Sequence, residues 1–148
     1  MIKVALPDKT SRRRLHYEFD ITSQLADHSL PVANVGTDPL IDEDGMYGYR
    51  LEALCRITSC ELNRYSEKTK AAIRHFHTEG FSNGDLSPSN IMRNYKDDVV
   101  LIDCSYSGLI GTEIPDHIPQ WVYEGKVFQP EADERRLLKF FSVEQAPV

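Results

Sequence analysis

Three patterns in this 148-residue sequence predict an α+β fold. Short runs of β-type residues occur at 2–6, 46–52 and 99–102. Apolar residues recur at the spacing of an amphipathic helix in residues 11–26, and again in residues 66–79. Turn-forming residues separate these runs. The chain is therefore expected to combine short strands with helices in one small α+β protein.

The first part of the chain begins with the strand at 2–6, which ends at Pro7-Asp8. A helix follows, and Ser11 is its expected cap. Acidic residues and a glycine then form a hairpin signal at 42–45, ahead of the strand at 46–52. Four apolar residues are expected to face the core from the helix: Leu15, Phe19, Ile21 and Leu25.

The second part carries two more predicted helices. The first spans 66–79 and stops at Gly80. A segment rich in glycine and proline at 106–127 is expected to be a loop. Trp121 within it is expected to be a core anchor, and a ligand platform is the alternative. The last helix opens at 129–133. Core candidates on these two helices are Ala71, Ala72, Ile73, Phe76, Leu137, Leu138 and Phe141.

Charge and composition argue against several classes of protein. The net charge of -6 argues against a nucleic-acid or anionic-membrane partner, because both require clustered lysine and arginine. No apolar run approaches the roughly 20 residues of a membrane span, and no signal peptide is recognisable. The three cysteines lack metal-ligand spacing and are expected to be reduced thiols. A cytoplasmic location is therefore expected.

The most informative stretch is 76–107, which contains Asp85, Asn90 and Asp103. The run Val-Val-Leu-Ile at 99–102 leads directly into Asp103. A carboxylate on a loop can accept a proton from a hydroxyl, while an amide oxygen and a second carboxylate can hold Mg²⁺ on a triphosphate. The alternative is that Asp85 and Asn90 only form turns and that Asp103 only ends a strand.

This stretch resembles the catalytic core of the protein-kinase-like superfamily, in the form found in aminoglycoside and choline phosphotransferases. The kinase catalytic loop H-R-D-x-x-x-x-N reads N-G-D-L-S-P-S-N at 83–90, and the D-F-G metal loop reads D-C-S at 103–105. The glycine before Asp85 and the Leu-Ser-Pro after it are the small-molecule-kinase form. Asn83 departs from the usual histidine, and Cys104-Ser105 departs from Phe-Gly.

The resemblance implies a bilobal fold with a truncated N-lobe at 1–53 and a shortened C-lobe at 54–148. Lys3 matches the strand lysine that meets the nucleotide phosphates, and Glu18 matches the helical glutamate that holds it. The backbone of Glu52, Ala53 and Leu54 would form the hinge that reads the adenine edge. An isolated lysine near a chain end and a solvated helical glutamate are the plainer alternative.

The resemblance also assigns supporting residues. His77 would pack or form a hydrogen bond beneath the catalytic loop. Asp133 matches the aspartate whose carboxylate supports the backbone of that loop. Both roles are structural.

One family feature does not occur in the sequence. No G-x-G-x-x-G motif is present, and only Met1 and Ile2 precede Lys3. ATP binding is therefore expected to be weakened, because backbone N–H donors to the phosphates would be lost. The strands missing before Lys3 would also leave a sheet edge open, so self-association into a homo-oligomer is an open expectation.

Two functions follow from the resemblance. The first is a minimal phosphotransferase that moves the ATP γ-phosphate to a hydroxyl of a small molecule or protein, with Mg²⁺ held by Asn90 and Asp103 and with Asp85 as the base. The second is a kinase-fold protein that has lost phosphoryl transfer and acts as a binding or regulatory module, or in other chemistry. The sequence does not identify the acceptor.

Overall fold

The computed structural model describes residues 1–141 and has a mixed α+β fold, as predicted. Its helices are α1 (Lys9–Asp27), α2 (Ser66–Thr78) and α3 (Glu131–Phe141). Its strands are β1 (Ile2–Val4), β2 (Leu40–Asp42), β3 (Gly45–Arg50), β4 (Cys55–Arg56), β5 (Phe81–Ser82), β6 (Ile91–Arg93), β7 (Val99–Leu101) and β8 (Gly108–Leu109). Three short 3₁₀ turns lie at Leu62–Tyr65, Pro88–Asn90 and Cys104–Tyr106.

The first sheet is antiparallel, with strand order β1-β3-β2. The predicted hairpin turn joins β2 to β3, where Asp42 pairs with Gly45. Lys3 and Tyr49 are partners across β1 and β3, and both side chains point toward α1. Helix α1 therefore covers one face of the sheet, and this packing brings the helix side chains close to Lys3.

The outer face of the same sheet is apolar. Ile2 and Val4 are each 59% exposed, and the side chains of Leu6 and Ile41 are also exposed. Among residues 1–141, β1 pairs only with β3. The backbone bonds from Met1 and Ala5 to β3 indicate that the N–H and C=O groups of Ile2 and Val4 point away from it.

The remaining strands form a three-stranded sheet, β4-β6-β7, and a pair, β5-β8. One hydrophobic core lies between these strands and the helices. It joins Leu25 of α1 to Phe76 of α2, Leu101 of β7 and Phe141 of α3. Residues from both predicted lobes thus share this core, and the division at 53/54 stays a prediction.

Three details of the helices differ from the expectations. Asp8, and not Ser11, caps α1, because its carboxylate accepts from the Ser11 N–H at 2.7 Å and the helix starts earlier. Ala71 and Leu138 are exposed and not in the core. Each of these two lies one residue from a core-facing position, a rotation of roughly 100° around the helix.

Trp121 is also not a core residue, since it is 68% exposed. The centres of the Trp121 and Tyr106 rings lie 6.4 Å apart with the rings nearly perpendicular, and the Arg136 guanidinium lies 5.7 Å from the centre of the Trp121 ring. A small cluster of Ile118, Val122, Tyr123, Phe128 and Ala132 forms the local core in its place.

In residues 1–141, no helix combines the length and the apolar character that crossing a bilayer would demand.

Candidate functional site

The catalytic-loop motif and the metal-loop aspartate lie side by side. Asp85 follows β5, Asn90 leads into β6, and Asp103 follows β7. The Asn90 side-chain amide donates to the Asp85 carbonyl oxygen at 2.9 Å. The Ile102 N–H donates to the Asn90 carbonyl oxygen at 3.0 Å. Two hydrogen bonds therefore connect Asn90 to Asp85 and to Ile102, the residue that precedes Asp103.

Lys3 joins this group from the other end of the chain. Its Nζ lies 2.5 Å from Glu18 Oε1 and 2.6 Å from Asp103 Oδ1. Burial alone would lower the pKa of Lys3, but the Glu18 and Asp103 carboxylates outweigh it and raise the pKa above its ordinary value. The ammonium is therefore charged, and it partly neutralises two carboxylates, of which Glu18 is buried.

Asp103 has an unusual backbone conformation. Its φ of 58° lies in the left-handed region, which non-glycine residues rarely adopt. Strained backbone of this kind clusters at functional sites, where the surrounding structure holds it in place. The next residue, Cys104, is buried, and burial raises the pKa of its thiol to about 12. The buried Cys104 side chain thus anchors the turn that presents Asp103.

Asp85 is half-buried on its loop. Its backbone N–H donates to Asn83 Oδ1 at 3.0 Å, so Asn83, which stands where kinases have histidine, closes the turn. Burial raises the pKa of the Asp85 carboxyl, and the positive charge of Arg136 opposes that rise. A carboxylate with a raised pKa is a better proton acceptor than an ordinary aspartate.

Asp133 supports the loop from below. Its carboxylate is fully buried and accepts from the Asn83 N–H at 2.8 Å and the Gly84 N–H at 2.7 Å. His77 Nε2 lies 2.8 Å from the same carboxylate. Asp133 therefore links α3 to the backbone at 83–84 and to His77.

A cavity of about 360 Å³ lies next to the ion pairs. Its lining includes Lys3, Glu18, Leu54, Met92, Leu101 and Asp103. Glu52 and Ala53, which were predicted with Leu54 to contact a nucleotide base, are not among the lining residues. The Glu52 N–H already donates to the Asn34 carbonyl oxygen at 2.9 Å. Leu54 is therefore the one predicted hinge residue that borders this cavity.

Asn90 and Asp103 each have a side-chain oxygen of the kind that binds a hard cation such as Mg²⁺ together with phosphate oxygens. Asn90 uses its Nδ2 for the loop bond, which leaves Oδ1 as the acceptor of that amide, and Asp103 has a second carboxylate oxygen beyond the one that meets Lys3. Within residues 1–141, no group of three or more His, Cys, Asp or Glu side chains could hold a metal. Two protein ligands completed by phosphate oxygens and water are the usual arrangement for Mg²⁺.

Arg136 and Trp121 were not predicted as site residues. Arg136 lies one helical turn after Asp133, so both side chains leave the same region of α3 toward the loop. Arg136 Nη1 lies 3.4 Å from the Leu86 carbonyl oxygen, directly after Asp85. The i, i+3 spacing from Asp133 was the sequence signal that could have identified it.

Comparison with known proteins adds no assignment. No protein-family model matches the sequence. No curated protein matches it either.

Proposed function

We propose that this protein is an atypical member of the protein-kinase-like superfamily that transfers the γ-phosphate of ATP to an acceptor hydroxyl. The observation that carries the proposal is the ion-pair chain from Lys3 to Glu18 and Asp103, beside the bonded pair Asp85 and Asn90. These five residues come from two distant parts of the sequence, 3–18 and 85–103. All have the types and the order that phosphoryl transfer requires.

The fold proposed with this function is bilobal. Residues 1–53 would form the truncated N-lobe, and the chain from 54 onward would form the C-lobe. The nucleotide would occupy the cavity lined by Lys3, Leu54 and Asp103. A cytoplasmic location suits this proposal, because thiols stay reduced there.

Each residue has one task in the proposed reaction. Lys3 neutralises phosphate charge and is held by Glu18, and Asp85 orients the acceptor hydroxyl. Asn90 and Asp103 would hold Mg²⁺, which supplies further neutralisation of phosphate charge. The hydroxyl proton passes to Asp85 as the acceptor oxygen bonds to the γ-phosphorus. The bond from that phosphorus to the ADP oxygen breaks, and its electron pair leaves with ADP.

A second candidate is a kinase-fold binding module without phosphoryl transfer. Two observations favour it. Asp103 is already bonded to Lys3, so the ion pairs are complete without a nucleotide. The sequence also has no G-x-G-x-x-G motif to cover the phosphates.

A thermal-shift titration with Mg-ATP tests the proposal. At a free Mg-ATP concentration of about 100 times Kd, binding stabilises the folded state by roughly 2.7 kcal/mol. For a chain of this size, this corresponds to a rise in Tm of roughly 5–10 °C. The rise is expected to vanish in Asp103→Asn and in the presence of a chelator. It should persist in Asp116→Asn, which makes the same charge change at an exposed loop position.

Release of ADP then separates the two candidates. Asp85→Asn is expected to keep the Mg-ATP shift and to lose turnover. An absent Tm shift at millimolar Mg-ATP would overturn the phosphotransferase and would favour a binding module that uses no nucleotide. A shift without ADP release by the wild-type protein would favour the binding module.

A further inference from the structure

Arg136 is a half-buried cation that makes no direct ion pair among the described residues, although its positive charge acts on the nearby Asp85 carboxyl. Its Nη1 makes one long contact, 3.4 Å from the Leu86 carbonyl oxygen. Within residues 1–141 it forms no ion pair with a carboxylate, whereas its neighbour Arg135 lies 3.7 Å from Glu124. A guanidinium has five N–H donors, and most of those on Arg136 are therefore available to a ligand.

The aromatic residues beside Arg136 hold its guanidinium in place. The group lies 5.7 Å from the centre of the Trp121 ring, and the Tyr106 ring lies nearly perpendicular to that ring. A guanidinium that rests on an aromatic face keeps its donors in plane and free to bind a carboxylate or phosphate with two hydrogen bonds. Trp121 is 68% exposed, so the pair is open to solvent.

The position of Arg136 separates it from the proposed nucleotide site. It meets the loop at Leu86, next to Asp85, and neither Arg136 nor Trp121 lines the cavity that contains Lys3 and Asp103. A ligand on Arg136 would therefore reach Asp85 from outside that cavity. In a transfer between two substrates, that side belongs to the acceptor.

We infer that Arg136, steadied by Trp121, binds an anionic group on the acceptor and directs the acceptor hydroxyl to Asp85. The acceptor class is then a small compound that carries a hydroxyl and, a few atoms away, a phosphate or carboxylate. This inference rests on the proposed function in taking Asp85 as the base. Because the site contains one guanidinium, resting on one indole ring, it is expected to bind a single anionic group.

Trp121 is the only tryptophan in the sequence, so its fluorescence reports on this site directly. The probes are glycerol 3-phosphate, glycerate and glycerol at matched ionic strength. They share a three-carbon hydroxyl-bearing frame and differ in the anionic group. Saturable fluorescence changes are expected with one or both anions, which decides between phosphate and carboxylate, and not with glycerol.

Two variants make the test specific. Arg136→Gln is expected to weaken binding of the anionic probe by on the order of 10- to 100-fold, as for a lost hydrogen bond between charged groups. Arg135→Gln removes the same charge from the next residue and should leave binding unchanged. Arg136→Lys keeps the charge but lacks the planar guanidinium, so its affinity for the anionic probe is expected to lie between those of the wild-type protein and Arg136→Gln. This variant also keeps the test valid if Arg136→Gln folds poorly.

Mg-ATP titration of Arg136→Gln distinguishes this inference from the proposed function. The Tm rise with Mg-ATP should match that of the wild-type protein. A variant that loses Mg-ATP binding would show that Arg136 belongs to the nucleotide site and would overturn the inference. Equal losses in Arg135→Gln and Arg136→Gln, or no saturable change with either anion, would overturn it while the Mg-ATP result still stood.

Discussion

At the scale of single residues, the burial of Asp85 has a measurable cost. Folding raises the pKa of this carboxyl, so folding favours its protonated form. Below the ordinary aspartate pKa of about 3.9 the folded state carries no penalty. As pH rises through the raised pKa that the Asp85 carboxyl has in the folded state, the buried charge destabilises the protein.

Asp85→Asn is therefore expected to be more stable than the wild-type protein at pH 7, and the gain should disappear below about pH 4. Urea denaturation at a series of pH values measures both free energies of unfolding. Asp116→Asn, which makes the same charge change at an exposed position, is the control variant. A variant less stable than wild type at pH 7 would show that the charge is compensated in the fold.

Gly84 illustrates a steric requirement of the catalytic loop. Its φ is 79°, and an added Cβ would overlap the Tyr123 hydroxyl and lie 2.5 Å from the Tyr106 carbonyl oxygen. Gly84→Ala is expected to cost about 2–4 kcal/mol, from backbone strain together with overpacking. Gly111→Ala, at a φ of 89° with nothing within 4 Å of the added atom, should cost only about 1 kcal/mol. Equal losses in the two variants, measured by urea denaturation, would remove the steric part of the explanation.

Asp85, Asn90 and Asp103 could be identified from the sequence by their residue types and spacing, because hydrophobic residues lie next to each of them. Arg136 and Trp121 were not predicted as site residues, because neither belongs to the motifs at 83–90 and 103–105. A lone tryptophan is usually buried, so its exposure depended on which neighbours filled the local core. Tertiary packing decides which side chains fill the local core, and local sequence patterns do not indicate it.

At the scale of elements, α3 is fixed to the catalytic loop by Asp133. This carboxylate satisfies two backbone N–H groups of the loop and also contacts His77. Asp133→Ala leaves both N–H groups buried without an acceptor and is expected to cost roughly 3–5 kcal/mol. Glu134→Ala, at the exposed neighbouring position, should change stability by less than about 0.5 kcal/mol. A loss below about 1 kcal/mol in Asp133→Ala, from urea midpoints, would contradict this role.

Helix positions were predictable because apolar residues recur along them, and α1 and α2 lie close to the predicted ranges. Their ends were less predictable. Ser11 was the expected cap of α1, but Asp8 is the cap because its carboxylate reaches two donors on Ser11 at once. The 3₁₀ turn at Leu62–Tyr65 also lengthens the entry to α2 in a way that helical periodicity does not indicate.

At the scale of the whole molecule, one core joins parts of the chain that are far apart in sequence. Leu25 and Leu101 both belong to it. The pairing of β5 with β8 and of β4 with β6 comes from such long-range contacts. Strands of two or three residues carry too little pattern to fix a partner, so the sequence predicted the fold class and not the sheet order.

Because Cys104 is buried, the rate at which its thiol is alkylated reports how often the fold opens transiently. Cys55 and Cys60 are exposed and should react with iodoacetamide at once, whereas Cys104 is 1% exposed and reacts only when the fold opens. Mass spectrometry is expected to show two fast alkylations and a third that is roughly 10³-fold slower or more, set by the opening equilibrium. Because Cys104 adjoins Asp103, a ligand that engages this aspartate should delay the third alkylation further. Three equal rates would mean that the Cys104 thiol is freely accessible from solvent.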